Sequence, residues 1–294
     1  MAGAIKHLKA AYKRAVGLNK PGKSLVILPD DVFLVSFPKS GNTWTRFLVA
    51  NLLFPGEPVS FANIERLIPD AEAQSSRYMK RLPGPRLIKS HQYFDHRYPK
   101  VLYIVRDPRD VAASYYNFSR KYRHIEDNYP LERYIGDFVH GRLSSAPWGT
   151  WGENVGTWMA ARNGRPTFLL VRYEDLIANT AAELEKVASF FGVDASPGRL
   201  HQAVENSSAD QLRELEKKEG GEWVTTKNKR SDIPFIGSAV AGKWKSVLPE
   251  AAVVEIESAW GHIMAQLGYH LVTRTPESVE TQLADSAVIG KQGE

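Results

Sequence analysis

Four short apolar runs punctuate the chain, at Val32–Ser36, Arg86–Lys89, Val101–Val105 and Thr167–Val171. They are rich in Val, Leu and Ile, the pattern of strands buried on both faces. Helical patterning covers Asn42–Leu53, Pro108–Phe118, Leu131–Leu143, Asn154–Arg162, Thr180–Phe191 and Glu250–Leu267. Gly192 and Gly268 follow two of these stretches, where a helix C-terminus favours glycine. The alternation predicts an α/β fold, a doubly wound, mainly parallel central sheet flanked by helices. Ligands on such sheets sit beyond the carboxyl ends of the strands.

The flanks read differently. Residues 1–25 form a basic amphipathic segment in which Ile5, Leu8, Tyr12, Ala15 and Val16 share one face, while Lys6, Lys9, Lys13 and Arg14 are polar. It lacks the continuous apolar stretch of a secretory signal. A membrane surface is open to such a helix, but packing on its own domain is expected. Residues 217–245 are Gly- and Lys-rich with poor periodicity and are expected to form a partly mobile lid loop. Residues 273–294 are polar and are expected to form a loosely held tail.

Length and composition add limits. The chain's 294 residues suit one domain over 1–294, and 43% hydrophobic with 24% charged residues is ordinary for a globular protein. Cys is absent, which excludes disulfides, thiolate metal sites and a cysteine nucleophile and fits a cytoplasmic location. The formal charge of +5 permits an anionic ligand but falls short of a nucleic-acid-binding signature. No His, Asp or Glu cluster has convincing metal-ligand spacing, so no metal is expected. Oligomeric state is not legible.

The most informative segment runs from the first strand through Pro38-Lys-Ser-Gly-Asn-Thr-Trp44 into a helix. Backbone N–H groups at a strand–loop–helix junction converge with the helix dipole into an anion site. Lys39 adds a cation, Ser40 and Thr43 add hydroxyls, and Gly41 permits close approach to a phosphate. The leading Gly of a Walker A loop is missing. Trp44 offers an aromatic face to a nucleobase.

This loop resembles the 5′-phosphosulfate loop of the soluble sulfotransferases, which use 3′-phosphoadenosine-5′-phosphosulfate (PAPS) and release PAP. The family usually has Thr where this chain has Asn42. The resemblance implies that Lys39 contacts the sulfonate and its bridging oxygen, that Ser40, Gly41, Asn42 and Thr43 hold the 5′-phosphate, and that Trp44 stacks on adenine.

A second anion site follows the third strand. Arg106 stands at its carboxyl end and Ser114 eight positions on, along a helix opened by Pro108. Arginine's planar fork suits phosphate. The Ser114-Tyr-Tyr-Asn-Phe118 run is similar to the family's 3′-phosphate motif, which implies that role for Arg106 and Ser114. Arg109 and Asp110 are read as a helix-start ion pair. His91 directly follows the second strand, at the same sheet edge, where a neutral imidazole can take a proton from a hydroxyl. The family's Lys-Thr-His stretch is matched here by Lys89-Ser-His91, which implies His91 as general base and Lys89 as an auxiliary cation.

Weaker motifs follow. Arg172-Tyr-Glu-Asp175 looks like the family's Tyr-Glu-Asp segment and places Tyr173 beside adenine. Ser207 matches a hydroxyl contact of the Thr-Ser-Phe segment, whose Phe is Ala209 here. The lid motif departs most. Gly237 stands where the family has Arg and Ala239 where it has Gly, leaving Ser238 and backbone amides for the phosphate, with Lys227, Lys229 and Arg230 as alternative cations. The function implied is sulfonate transfer from PAPS to a hydroxyl acceptor. A P-loop-type kinase and a non-catalytic nucleotide-binding protein are the alternatives. The aromatic walls suggest a phenol, alcohol or lipid-like small-molecule acceptor, without excluding a glycan.

Overall fold

The computed structural model describes residues 2–20, 22–143, 148–237 and 239–273, with side chains except at 2–7 and 23. Its centre is a four-stranded, wholly parallel sheet in the order β2-β1-β3-β4. The strands are β1 (Val32–Ser36), β2 (Leu87–Ser90), β3 (Lys100–Val105) and β4 (Phe168–Arg172). Each lies within one residue of its expected run. Register pairs Val35 with Ser90 and Ser36 with Ile104, so three strands end along one line.

Both faces are covered, as continuous apolar strands require. Helices on the first face are α5 (Pro108–Lys121), α6 (Leu131–Val139), α7 (Trp151–Arg162) and α13 (Glu250–Gln266), and they bury Phe33, Val35 and Tyr103. The second face carries α2 (Asn42–Leu53), α8 (Tyr173–Ala178), α9 (Thr180–Phe191), α10 (Pro197–Asn206) and α11 (Ala209–Glu219), which bury Leu34, Leu102 and Ile104. Alternate residues of one strand therefore enter different cores. Three single-turn helices, α3 (Ile64–Leu67), α4 (Ser76–Met79) and α12 (Trp244–Val247), complete the set, with α1 (Ala2–Ala15) at the N-terminus.

Local chemistry starts and stops the long helices. Asp107 caps α5 by accepting from the Arg109 N–H, with Pro108 in the first turn. Thr150 and Glu153 form a capping box on α7. Gly192 ends α9 with φ of 70°.

Two expectations about the flanks change. Among the described side chains of the N-terminal helix, Leu8 and Tyr12 are not packed on the domain, being 70% and 66% exposed. It ends at Ala15, and the segment beyond docks on α4, where the Gly17 and Asn19 carbonyls accept from Arg77 and Ser76 N–H groups at 2.8 Å. Residues 217–219 belong to α11 rather than to a loop. The following stretch is tethered: Lys121 Nζ donates to the Arg230 and Ile233 carbonyls at 2.6 and 2.5 Å, and Glu216 accepts from the Phe235 and Ile236 N–H groups. Of the expected tail, residues 274–294 lie outside the described residues.

One buried ion pair ties the approach to β1 onto β2. Arg86 Nε and Nη2 donate to Asp31 at 2.8 and 2.5 Å, and the guanidinium also donates to the Met79 and Val26 carbonyls. Both side chains are nearly sealed from water. Removing one partner leaves the other charge buried and alone. Asp31→Ala is expected to destabilise the fold by about 3–5 kcal/mol, read as a lower urea midpoint at unchanged slope.

Candidate active site

The carboxyl ends of β1, β2 and β3 open into one cavity of about 1410 Å³. Typical single-ligand pockets occupy about 300–1,000 Å³, so two molecules fit side by side. Lys39, Gly41, Asn42, Thr43, Trp44, Arg106, Ser114 and Tyr173 line it, together with Lys89 and His91. The structure thus brings together most of the residues singled out from the sequence. Ser40 and Ser207 are buried without lining the cavity, and Ser238 lies outside the described residues.

The loop after β1 has the shape of an anion cradle. Lys39 and Gly41 both take left-handed backbone conformations, with φ of 68° and 89°. Alternation of this kind turns successive N–H groups inward. A non-glycine residue such as Lys39 is strained there, a cost of about 1–2 kcal/mol typical of ligand clamps. Gly41 is required twice over, because a Cβ on it would also run into the Tyr173 ring. Asn42 Nδ2 donates to Ser36 Oγ at 3.1 Å, which leaves its Oδ1 without a partner. Ser40 Oγ and Arg106 Nε are likewise buried and unpartnered. Buried polar groups are ordinarily satisfied; of these three, Ser40 Oγ and Arg106 Nε can donate to an anion, whereas the Asn42 Oδ1 can only accept.

Two cations serve this end. Lys39 Nζ stands over the Phe235 and Phe118 rings at 4.4 and 5.2 Å. Burial, then the neighbouring Arg106, lowers its pKa to about 8. Arg106 stacks on Tyr173 at 4.4 Å and donates to the Lys39 and Val240 carbonyls. Trp44 meets Tyr173 edge-on, and its Nε1 donates to the Ser207 carbonyl at 2.8 Å. The Ser207 hydroxyl accepts from Asn51 Nδ2 at 2.9 Å, and its carbonyl ties the serine to Trp44.

The expected Arg109–Asp110 pair does not form. Arg109 instead pairs with Asp107 and Glu257 and stacks on Trp244. Asp110 accepts from the Gly242 and Trp244 N–H groups at 2.7 and 2.9 Å, pinning the lid motif to α5. Within that motif Ala239 keeps a left-handed φ of 52°, the conformation glycine would favour. Arg230 is bonded to Asp127 and Asp232, so it is neutralised, whereas Lys229 and Lys243 line the cavity.

The other end of the cavity is built on β2. His91 Nδ1 lies 2.7 Å from the Ser36 carbonyl oxygen, which can only accept. The proton therefore sits on Nδ1, and Nε2 is the acceptor. Burial, and next the Lys89 charge, lowers the His91 pKa to about 3, so the ring is neutral across the physiological range. Lys89 Nζ bonds Asp70 and Glu72 at 3.0 and 3.1 Å. Burial opposes its charge, yet the two carboxylates outweigh burial and hold its pKa above the ordinary lysine value. The charge left for an anion comes from Lys39 and Arg106.

Asp70 and Glu72 were not singled out from the sequence. Glu72 also accepts from the His91 N–H at 2.7 Å and from Ser90 Oγ at 2.9 Å, so one carboxylate holds three consecutive residues. Two acids separated by one alanine, outside any periodic segment, are too common a pattern to mark a site.

Comparisons with known proteins show the family and the fold. The model of the sulfotransferase domain matches residues 29–268. A 3-beta-hydroxysteroid sulfotransferase of Cavia porcellus is 29% identical over 254 residues, covering 82% of this chain and 85% of its own. Sulfotransferase 1B1 of Canis lupus familiaris is 26% identical, covering 74% and 78%. Among solved structures, retinol dehydratase in complex with androsterone and inactive cofactor PAP superposes with a TM-score of 0.67 at 19% identity, covering 87% of this chain and 86% of that one. Mouse sulfotransferase SULT7A1 complexed with PAP gives 0.65 at 20%, covering 84% and 88%. These two likenesses concern the fold. With a family model spanning both ends of the cavity, from before β1 to beyond α13, the chain belongs to the sulfotransferase family.

Proposed function

We propose that the protein transfers the sulfonate group of PAPS to a hydroxyl acceptor. The observation that carries this reading is the pairing, in one cavity, of a neutral His91 with its Nε2 free to accept and a buried cation at Lys39. The residues present suit the nucleotide. The Lys39–Thr43 cradle with its unpartnered Ser40 hydroxyl takes the 5′-phosphate, Arg106 with its free Nε and Ser114 take the 3′-phosphate, and Trp44 and Tyr173 flank the base. Lys229 and Lys243 supply charge where the lid motif lacks its arginine.

PAPS supplies the sulfonate when bound. The protein's part is to deprotonate and to neutralise. His91 Nε2 takes the acceptor's hydroxyl proton as the acceptor oxygen bonds to sulfur. The bond from sulfur to the bridging oxygen breaks, its electron pair stays on the phosphate of PAP, and the Lys39 ammonium stabilises that charge. Lys89, Asp70 and Glu72 position the base rather than touch the transferred group. The acceptor end, with Leu143, Trp148 and Val224, is apolar enough for a phenol, an alcohol or a lipid-like molecule. Relatives named for a 3-beta-hydroxysteroid or bound to androsterone fit that class.

The central test is PAPS-dependent sulfonation of a hydroxyl panel by the wild type and by His91→Ala. The variant is expected to lose about 10²–10⁴-fold in rate while calorimetry shows PAP binding intact; equal rates would overturn the assignment of the base. The Lys39 ammonium is lost as pH rises through its value of about 8, so kcat/KM for PAPS is expected to fall above that pH. Lys39→Arg, whose charge persists, should remove that limb. Because His91 is already neutral above its value of about 3, no acid limb is expected in the usual histidine range. Glu72→Ala is expected to lower kcat by about 10–100-fold, the scale of losing a supporting partner, with the PAP dissociation constant unmoved. Glu72→Gln, which keeps an acceptor for the His91 N–H, should recover part of the rate.

A further inference from the structure

The positive charge of the chain is unevenly placed. Residues 1–29 contain Lys6, Lys9, Lys13, Arg14, Lys20 and Lys23 and no Asp or Glu, so the +5 excess resides there and the remaining chain is close to neutral. On α1, Leu8, Tyr12 and Ala15 follow one another at helical spacing along one side, and Lys9 and Lys13 run beside them. All five side chains are exposed, and so is Arg14. Leu18, just past the helix, is exposed as well.

A surface that complements this helix must offer an apolar layer to Leu8 and Tyr12 and negative charge to the basic flank. A second copy of α1 fails the second condition, because it brings like charge and no acidic residue. A bilayer with anionic headgroups meets both. No helix among the described residues is long and apolar enough to cross a membrane, so the contact is one of lying on the surface. We infer that α1 is a peripheral anchor that sets Leu8 and Tyr12 into the surface of an anionic lipid bilayer.

The attachment of α1 decides what the bilayer then faces. The bonds from the Ser76 and Arg77 N–H groups to the Asn19 and Gly17 carbonyls hold the helix base close in sequence to Glu72 and Ala73, which line the cavity, as does Lys20. Lys20, a few residues past α1, thus joins the base of the helix to the cavity wall. An apolar acceptor dissolved in the bilayer would enter from there, a consequence that rests on the acceptor reading proposed above.

The test is co-sedimentation of the full chain with vesicles of phosphatidylcholine alone and of phosphatidylcholine mixed with phosphatidylglycerol. Binding is expected with the anionic vesicles only and should weaken with salt. The Leu8→Glu/Tyr12→Glu double variant should abolish it. Lys9→Glu/Lys13→Glu should weaken it by about tenfold or more, on the scale set by juxtamembrane basic residues. PAP binding should be unchanged in both variants, which separates failure of the anchor from failure of the nucleotide site. Absence of binding to anionic vesicles, or binding indifferent to both double variants, would overturn the inference. So would a dimer in light scattering that Leu8→Glu/Tyr12→Glu converts to monomer, since the occupant of the helix face would then be a second copy.

Discussion

Parallel pairing of β1 with β2 on one side and β3 on the other is the constraint on which the rest depends. It sets Ser36, Ser90 and Val105 at one edge of the sheet. The next residues of each strand then project into a shared space: the Lys39–Thr43 cradle, His91 and Arg106. A bond across that edge, from His91 Nδ1 to the Ser36 carbonyl, ties the candidate base to the strand that carries the cradle. Sliding β2 by one residue would turn His91 to the opposite face and leave its Nδ1 without that carbonyl.

Charge is handled differently at the two ends of the cavity. At the His91 end Lys89 is closed into a triad with Asp70 and Glu72, so burial is compensated and the geometry is fixed. At the other end Lys39 stands over two rings with the Glu216 carboxylate within electrostatic reach, and Arg106, paired with Asp110 at 3.6 Å, keeps an unpartnered Nε. The Lys89 charge, held by two carboxylates, positions. Charge left against aromatic faces is available to a ligand, and burial strengthens what it does when the ligand arrives.

Much of this was legible in the chain itself. Strand runs dominated by apolar residues signalled a sheet covered twice, and the Pro38–Trp44 and Arg106–Phe118 segments carry their motifs in consecutive residues, so local reading singled them out. What escaped depends on partners far apart in sequence. Arg109 and Asp110 are adjacent and opposite in charge, yet each bonds elsewhere, one to Glu257 and the other to the lid backbone at Gly242 and Trp244. Ser207 was read from a local motif, and its ties to Asn51 and Trp44, more than 150 residues away, were not legible there.

The sequence by itself determined the fold class and singled out the Pro38–Trp44 loop, Arg106 and His91 as candidates, because each is written as a periodicity or a short motif. Only the tertiary structure decided the protonation geometry of His91, the triad behind it, the neutralisation of Arg230 and the bare face of α1. The reason is physical. A pKa, an orphaned hydroxyl or an uncovered helix is a property of what surrounds a residue. Those surroundings come from strands and helices that are neighbours in space and distant along the chain.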